Sequence, residues 1–195
     1  MAACVLALPN AAPVRTLTPP TPTAAKIVAG AKAQIGTAYD ASYCTLAYPM
    51  GDVPPDRGAC TDVVVRALRA AGYDLQPLVH EDMARHWNRY PHQWGLTRPD
   101  PNIDHRRVPN LAVFFQRHGQ TLPNAVSPQT LSQWQPGDVV CWKMLGDHDH
   151  IGVLSDKCDA AGTPFVIHNI GQCAEEDCLT RWPIAGHYRY PKGKT

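Results

Sequence analysis

The 195-residue sequence contains no apolar run that approaches the roughly 20 residues of a membrane-spanning helix. Net charge is also small, because 18 Lys and Arg stand against 17 Asp and Glu, for a formal value of +1. No overall basic field would therefore draw the chain onto nucleic acid or anionic lipid. The low charged fraction of 18% and the hydrophobic fraction of 44% favour a folded protein over a disordered one.

Cysteine and proline are the unusual features of the composition. Seven cysteines are too few for a disulfide scaffold, and an odd number leaves at least one thiol unpaired in the monomer that we expect. That thiol is a candidate nucleophile. The 19 prolines predict many loops between short elements.

The first 23 residues differ in composition from the rest of the chain. They are rich in Ala, Pro and Thr, which favours extended, solvated chain. Residues 2–8 form a short apolar patch like the end of a secretory signal, and a disordered tail is the alternative. The sequence predicts a flexible leader over residues 1–23, a single domain over residues 24–195, and a periplasmic or secreted location.

Hydrophobic periodicity predicts helices first and strands later. Helical spacing and capping residues indicate helices over residues 24–35, 60–71, 77–87 and 108–118. Alternating patterns indicate strands over residues 138–142, 150–154, 165–169 and 184–190. This order predicts an α+β domain with a mostly antiparallel sheet.

Cys60 lies at the first turn of the strongest predicted helix. The free N–H groups and the positive end of a helix favour a thiolate and could hold an oxyanion. A cysteine at a helix start is more often a small buried residue, so a catalytic role requires a nearby base.

Two histidines in the predicted strands could supply that base. A hairpin centred on Asp159 would pair His150 directly with His168 on one face of the sheet. One imidazole would accept the Cys60 proton, and the other would orient it. In this register Asn169 points to the opposite face, which favours His168 as the orienting residue.

Several motifs together resemble the NlpC/p60 family of papain-like cysteine peptidases. These are residues 36–39 before a loop, Cys60 opening a helix, and residues 136–140, 150–153 and 167–168. Residues 58–64 resemble more closely the YijF-like bacterial family of unknown function within that superfamily. So do residues 79–83, 102–111, 167–171 and 186–190.

This resemblance implies a papain-like α+β fold and a triad at Cys60, His150 and His168. It also implies a peptide-bond target in the stem peptides of bacterial peptidoglycan, or in muropeptides derived from it. Tyr39 matches the position where the family places a tyrosine near the oxyanion. No cofactor and no metal are expected for this reaction.

Charged residues near these motifs are further candidates. Asp62 departs from the usual family pattern, and its spacing from Arg66 predicts a helical ion pair, although its charge would oppose a thiolate at Cys60. Asp104, Arg106 and Arg107 lie in a proline-bounded segment, where an arginine could bind a substrate carboxylate. A structural ion-pair cluster is the equal alternative.

Two other functions remain open. His148, His150 and His168, with Cys173 and Cys178, contain enough nitrogen and sulfur ligands for zinc. The chain could instead be a non-catalytic secreted binding module on the same scaffold. Cys173 and Cys178 could also form a disulfide in an oxidising compartment. Faster alkylation of Cys60 than of the other thiols below pH 8 would favour the peptidase.

Overall fold

The computed structural model describes residues 13–192 and contains four helices of 11 residues in that part of the chain. They are α1 (Pro22–Lys32), α2 (Cys60–Ala70), α3 (Leu75–Arg85) and α4 (Val108–His118). Helix α4 has the predicted bounds, and α2 begins at Cys60 as expected. Helix α1 starts earlier than predicted, because Pro22 fits its first turn and the Thr21 hydroxyl accepts a hydrogen bond from the Ala24 N–H at 3.0 Å.

Within residues 13–192, nine strands form two sheets. They are β1 (Arg15–Thr16), β2 (Ala38–Tyr39), β3 (Arg57–Gly58), β4 (Gln120–Thr121), β5 (Val139–Met144), β6 (His148–Cys158), β7 (Pro164–Asn169), β8 (Cys173–Glu176) and β9 (Ile184–Arg189). The larger sheet is antiparallel and has the order β4-β9-β5-β6-β7-β8, with β1 paired to β6. Strands β2 and β3 form a small parallel sheet before α2. The predicted α+β class with a mostly antiparallel sheet is thus confirmed, with the helices before most of the sheet.

The sheet separates two apolar cores because alternate residues of a strand face opposite sides. On one side, which we call the helix-side core, the four helices pack on Cys141, Ile151 and Val153. On the other side, Trp142, Leu154 and Cys178 form a second cluster, which we call the tryptophan-side core. Both faces of the central strands are therefore buried.

The register of β6 and β7 differs from the predicted one by two residues. Val153 pairs with Ile167 and Leu154 with Val166, so His168 is not directly opposite His150. A shift of two residues preserves the face on which each side chain lies. The two histidines therefore still share one face, as diagonal neighbours.

Part of the predicted leader is ordered against the domain. Arg15 and Thr16 pair with the end of β6, and the Leu17 N–H donates to the Asp156 carbonyl at 2.6 Å. The prediction of flexible chain is therefore wrong for residues 15–17. The apolar patch at residues 2–8 lies outside the described residues. None of the helices within residues 13–192 is long and apolar enough to cross a membrane.

Candidate functional site

The first residue of α2 is Cys60, which lies at the bottom of a cleft of about 310 Å³. Only 6% of its surface is exposed. The turn before it is closed by Asp62, whose carboxylate accepts a hydrogen bond from the Ala59 N–H at 2.7 Å. This bond fixes the start of the helix and therefore the position of the sulfur.

His150 and His168 are joined by a hydrogen bond of 2.9 Å between Nε2 of His150 and Nδ1 of His168. The rings lie in the tryptophan-side core, where the His150 ring stacks on Trp142 with centroids 5.6 Å apart. Trp182 contacts both imidazoles edge-on. The predicted contact between the two histidines on one face of the sheet is confirmed, although they are not directly opposed strand partners. It occupies Nε2 of His150 and leaves Nδ1 as the nitrogen for a further partner.

The sulfur of Cys60 lies where β7 diverges from β6. The Leu154 N–H points toward the β5 side of β6 and donates to the Asp138 carbonyl. Because N–H groups alternate in direction along a strand, the Ile151 N–H, three residues earlier, points toward the β7 side. No β7 residue pairs with Ile151, and its backbone instead hydrogen-bonds the Cys60 sulfur. The sulfur thus contacts the main chain directly adjacent to His150. Cys60 belongs to the helix-side core, whereas the His150 ring packs on Trp142 in the tryptophan-side core, so the sulfur and the imidazole lie on opposite faces of β6. The predicted convergence of Cys60 with the two histidines is therefore not present in this structure.

Burial controls the protonation of this site. Desolvation raises the pKa of the Cys60 thiol to about 12, and the Asp62 charge adds to this, against the backbone hydrogen bond from Ile151. Desolvation lowers the pKa of His150 to about 3, and the proximity of His168 adds to the shift. The expected lowering of the Cys60 pKa by the helix start is therefore wrong in this arrangement, in which thiol and imidazole are both neutral at pH 7.

Asp62 pairs with Arg106 rather than with Arg66. The two carboxylate oxygens accept from Nε and Nη2 of Arg106 at 2.9 and 3.0 Å, and both side chains are almost fully buried. Arg66 binds Asp52 instead. Because its remaining donors reach the carbonyls of Ser42 and Asp40, Arg106 has no free edge for a substrate. Its proposed carboxylate-binding role is wrong, and its role is to hold the loop before β3 against α2.

Arg107 has the opposite environment. Its guanidinium stacks on Trp94 at 3.7 Å from the ring centroid, it lines the Cys60 cleft, and it takes part in no ion pair within residues 13–192. Its Nε is buried without a hydrogen-bond partner. An unpaired cation with an unused donor suits an anion. Trp94, which places this cation, carried no motif in the sequence.

Tyr39 lines the same cleft, as the resemblance implies. Burial raises the pKa of its phenol, and the nearby Cys60 and Asp62 raise it further. The hydroxyl is consequently a hydrogen-bond donor at neutral pH. His148 and Asp149 form another part of the wall, so His148, rather than the buried His150, faces the open cleft.

Asp104 lies away from the cleft. Its side chain is fully buried and accepts from Nδ1 of His80 at 2.8 Å. This contact positions α3 against the segment that carries Arg106. A direct substrate-binding role for Asp104 is therefore wrong, because solvent does not reach it.

Asn169 confirms the prediction that it faces away from His168. Its side-chain amide donates to the Gly58 carbonyl at 2.9 Å, two residues before Cys60. This bond ties β7 to the turn before α2. Asn169 therefore positions the turn that leads to Cys60 and does not contact the imidazoles.

The zinc ligands considered from sequence do not come together as one group. His148 is exposed, and Cys173 belongs to the helix-side core, whereas Cys178 belongs to the tryptophan-side core. Both cysteines are free thiols, so the predicted disulfide between them is wrong. Cys178 instead lies 3.3 Å from Nε2 of His168, and Glu176 lies 3.6 Å from the same atom.

His105 predicts a pH dependence of stability. Burial lowers its pKa to about 4, and its Nδ1 has no partner. The unfolded chain binds the proton more readily between pH 6.5 and 4, so this contribution to stability is complete above pH 6.5 and is lost as pH falls toward 4. The expected loss is about 3 kcal/mol.

Urea unfolding at pH 7 and at pH 4.5 measures this loss. His105→Gln is expected to make stability less dependent on pH in this interval, whereas the control His92→Gln, on the surface, keeps the wild-type dependence. Equal pH dependence in wild type and His105→Gln would contradict the assignment.

These features define an α+β protein with a buried cysteine at a helix start and a histidine pair at an opening of an antiparallel sheet. Residues 28–190 match the model of the Domain of unknown function (DUF1287), and the chain belongs to that family. It is 54% identical over 167 residues to the Uncharacterized protein YijF of Escherichia coli (strain K12), covering 84% of this chain and 80% of that protein.

One solved structure also shows a likeness. NlpC1 from Trichomonas vaginalis is 15% identical, with a TM-score of 0.46. The match covers 86% of this chain and 44% of the NlpC1 chain, so this chain spans less than half of that protein.

Proposed function

We propose that this protein is a papain-like cysteine hydrolase of NlpC/p60 type that cleaves a peptide bond in bacterial peptidoglycan stem peptides. The observation that carries the proposal is the His150–His168 hydrogen bond, formed beside the strand opening that holds the Cys60 sulfur. A substrate in the bacterial cell wall is consistent with a periplasmic or secreted location.

The hydrogen bonds define how the proton moves. With Nε2 of His150 donating to Nδ1 of His168, the free Nδ1 of His150 accepts the Cys60 thiol proton as the sulfur attacks the substrate carbonyl. The C–S bond forms while the carbonyl electron pair moves to oxygen. His150 then gives the proton to the leaving amine as the C–N bond breaks, and water releases the acyl group from Cys60.

A neutral Cys60 thiol and a neutral His150 imidazole before substrate binds are compatible with this order of proton transfers. The pKa of the Cys60 thiol lies above pH 7 and that of the His150 imidazole lies below it, so the two groups do not form an ion pair before substrate binds. Proton transfer therefore accompanies the attack of the sulfur. Because Cys60 and the His150 ring lie on opposite faces of β6, the proposed transfer requires a rearrangement of this strand end on substrate binding that brings Nδ1 of His150 to the sulfur. The N–H groups at the start of α2 and the Tyr39 hydroxyl face the developing oxyanion.

The walls of the cleft carry opposite charges. Arg107 provides a cation, and Asp147 and Asp149, which share Lys143 as an ion-pair partner, provide carboxylates. A peptide that carries both a carboxylate and an amine fits this distribution, and stem peptides carry both. The ion pair between Asp149 and Lys143, at 2.9 Å, fixes the acidic wall at the end of β5.

Arg107→Met tests the role of the cleft cation. The apolar replacement keeps the contact with Trp94 but removes the charge, so KM for a carboxylate-bearing muropeptide should rise about 10–100-fold, with a smaller change in kcat. Steady-state kinetics on the muropeptide and on its carboxamide analogue measure this. For the carboxamide, wild type and variant should be nearly equal. An unchanged KM for the carboxylate substrate would contradict the assignment.

Mass spectrometry of purified muropeptides incubated with wild type and Cys60→Ala tests the proposed reaction. New amine and acid termini are expected with wild type only. Products in equal amount in both samples would end the assignment. Absence of products with wild type across stem peptides of differing composition would favour the binding module, which the missing Cys60–His150 hydrogen bond also suits.

A further inference from the structure

A second cluster of reactive side chains lies behind the histidine pair. Nε2 of His168, a carboxylate oxygen of Glu176 and Sγ of Cys178 lie within 4.8 Å of one another. His168 is held on β7 and Glu176 on the neighbouring β8, and Cys178 follows two residues later. His168 and Cys178 are buried, whereas Glu176 is 36% exposed in its side chain.

The distances fit a tetrahedral metal site. Zinc binds nitrogen and oxygen at about 2.0–2.2 Å and sulfur at about 2.3 Å, which places neighbouring ligand atoms about 3.3–3.7 Å apart. Nε2 of His168 is 3.3 Å from the Cys178 sulfur and 3.6 Å from the Glu176 oxygen. The three atoms therefore need only small movements to coordinate one ion, and the exposed side of Glu176 leaves the fourth position to water.

The chemistry of the set selects the ion. One nitrogen, one thiolate sulfur and one carboxylate are ligands for zinc rather than for magnesium or calcium, which prefer oxygen alone. The nearest competitor is Arg181, which binds the Glu176 carboxylate at 2.7 Å. Both of these side chains are partly exposed, and an exposed ion pair contributes at most about 1 kcal/mol, so a divalent ion can displace it.

The histidine pair supplies the outer contact that such a ligand requires. A metal-bound histidine usually donates its other N–H to a fixed acceptor. Here Nδ1 of His168 faces Nε2 of His150 at 2.9 Å. Trp142 and Trp182 surround the rings and restrict their rotation.

We propose that His168, Glu176 and Cys178 form a binding site for a zinc-like divalent cation, and that its occupancy switches off the catalytic histidine. On binding, Cys178 releases its thiol proton to solvent and the sulfur coordinates the ion. Glu176 contributes one oxygen. His168 contributes the lone pair of Nε2 after the Nε2 proton has left to solvent. The proton between the rings moves to Nδ1 of His168, and His150 takes a proton from solvent on Nδ1.

The inhibition by the bound ion rests on the proposed function. It follows from which ring donates the hydrogen bond between His150 and His168. Catalysis requires the proton between the rings to belong to Nε2 of His150, so that Nδ1 of His150 is free to accept from Cys60. A metal on Nε2 of His168 requires His168 to carry its proton on Nδ1 and to donate it to His150. The proton of His150 then lies on Nδ1, and the imidazole cannot accept from Cys60.

Cobalt(II) titration of the chelator-treated full-length protein tests the site independently of activity. One equivalent should produce a thiolate-to-cobalt charge-transfer band with tetrahedral d–d absorption, and zinc should displace it. Cys178→Ser should lose the charge-transfer band, whereas the control Cys44→Ser keeps it. Glu176→Gln, at a partly exposed position that does not threaten folding, should weaken cobalt binding at least about tenfold.

Absence of the band in wild type, or its persistence in Cys178→Ser, would overturn the site. For the switch, saturating zinc should lower wild-type muropeptide cleavage at least about tenfold, and chelation should restore it. Residual activity of Cys178→Ser should resist zinc; inhibition of this variant to the same extent would place the inhibitory ion elsewhere. Cobalt binding in a protein without hydrolytic activity would refute the proposed function and leave the site standing.

Discussion

His150→Ala is expected to lower kcat/KM for muropeptide cleavage by about 10²–10⁴-fold, because it removes the proposed general base. His150 is the candidate for this role because its Nε2 is fixed by His168 at 2.9 Å and it adjoins Ile151, whose backbone contacts the Cys60 sulfur. The ring is buried, so circular dichroism and Tm of the variant must accompany the kinetics.

His148→Ala is the matched control for this prediction. His148 lies two residues away on the same strand and the same face, and it lines the cleft that contains Cys60. Among residues 13–192 it has no orienting partner of the kind that His168 provides, and its replacement should change kcat/KM less than about threefold. A large loss with His148→Ala and a small one with His150→Ala would transfer the role of the base to the exposed histidine.

Asp62→Asn is expected to destabilise the protein by about 3–5 kcal/mol, because it leaves the buried Arg106 charge without its partner. It also weakens the hydrogen bond to the Ala59 N–H that fixes the start of α2. For a chain of this size, the loss corresponds to a decrease in Tm of roughly 6–20 °C. Thermal unfolding followed by circular dichroism measures it.

Two further variants separate burial from charge. Asp52→Asn removes the partner of Arg66 at a more exposed position, and it should cost at most about 1 kcal/mol. The double variant Asp62→Leu with Arg106→Met replaces the buried pair by apolar groups and should recover much of the loss. A decrease of less than about 2 °C for Asp62→Asn would contradict the structural role of the pair.

Local patterns predicted most of the secondary structure because the signals are local. The apolar spacing of α4 and the alternation in β9 depend on residues within one element, and both elements have the expected type and nearly the expected bounds. Strand β8 was missed because its residues, Cys173–Glu176, form a short acidic run without apolar alternation. Strand β7 closely precedes β8 in the sequence and lies beside it in the sheet. Backbone pairing with β7 is what makes β8 a strand.

The site was predicted less completely because its contacts join distant segments. The pairing of His150 with His168 followed from strand alternation, which tolerates a register error of two residues. The partner of Asp62 did not follow, since Arg106 is 44 residues away and helical spacing favoured Arg66. The high pKa of Cys60 also required the structure, because burial by the packed helices outweighs the helix terminus.

The central claim is that Cys60 forms a covalent acyl intermediate, and acid-quenched mass spectrometry tests it most directly. Wild-type protein mixed with excess muropeptide and quenched within one turnover should gain the mass of the acyl fragment. Peptide mapping should place that mass on Cys60. An unmodified Cys60 in a sample that is cleaving substrate, or acylation at another cysteine, would contradict the account.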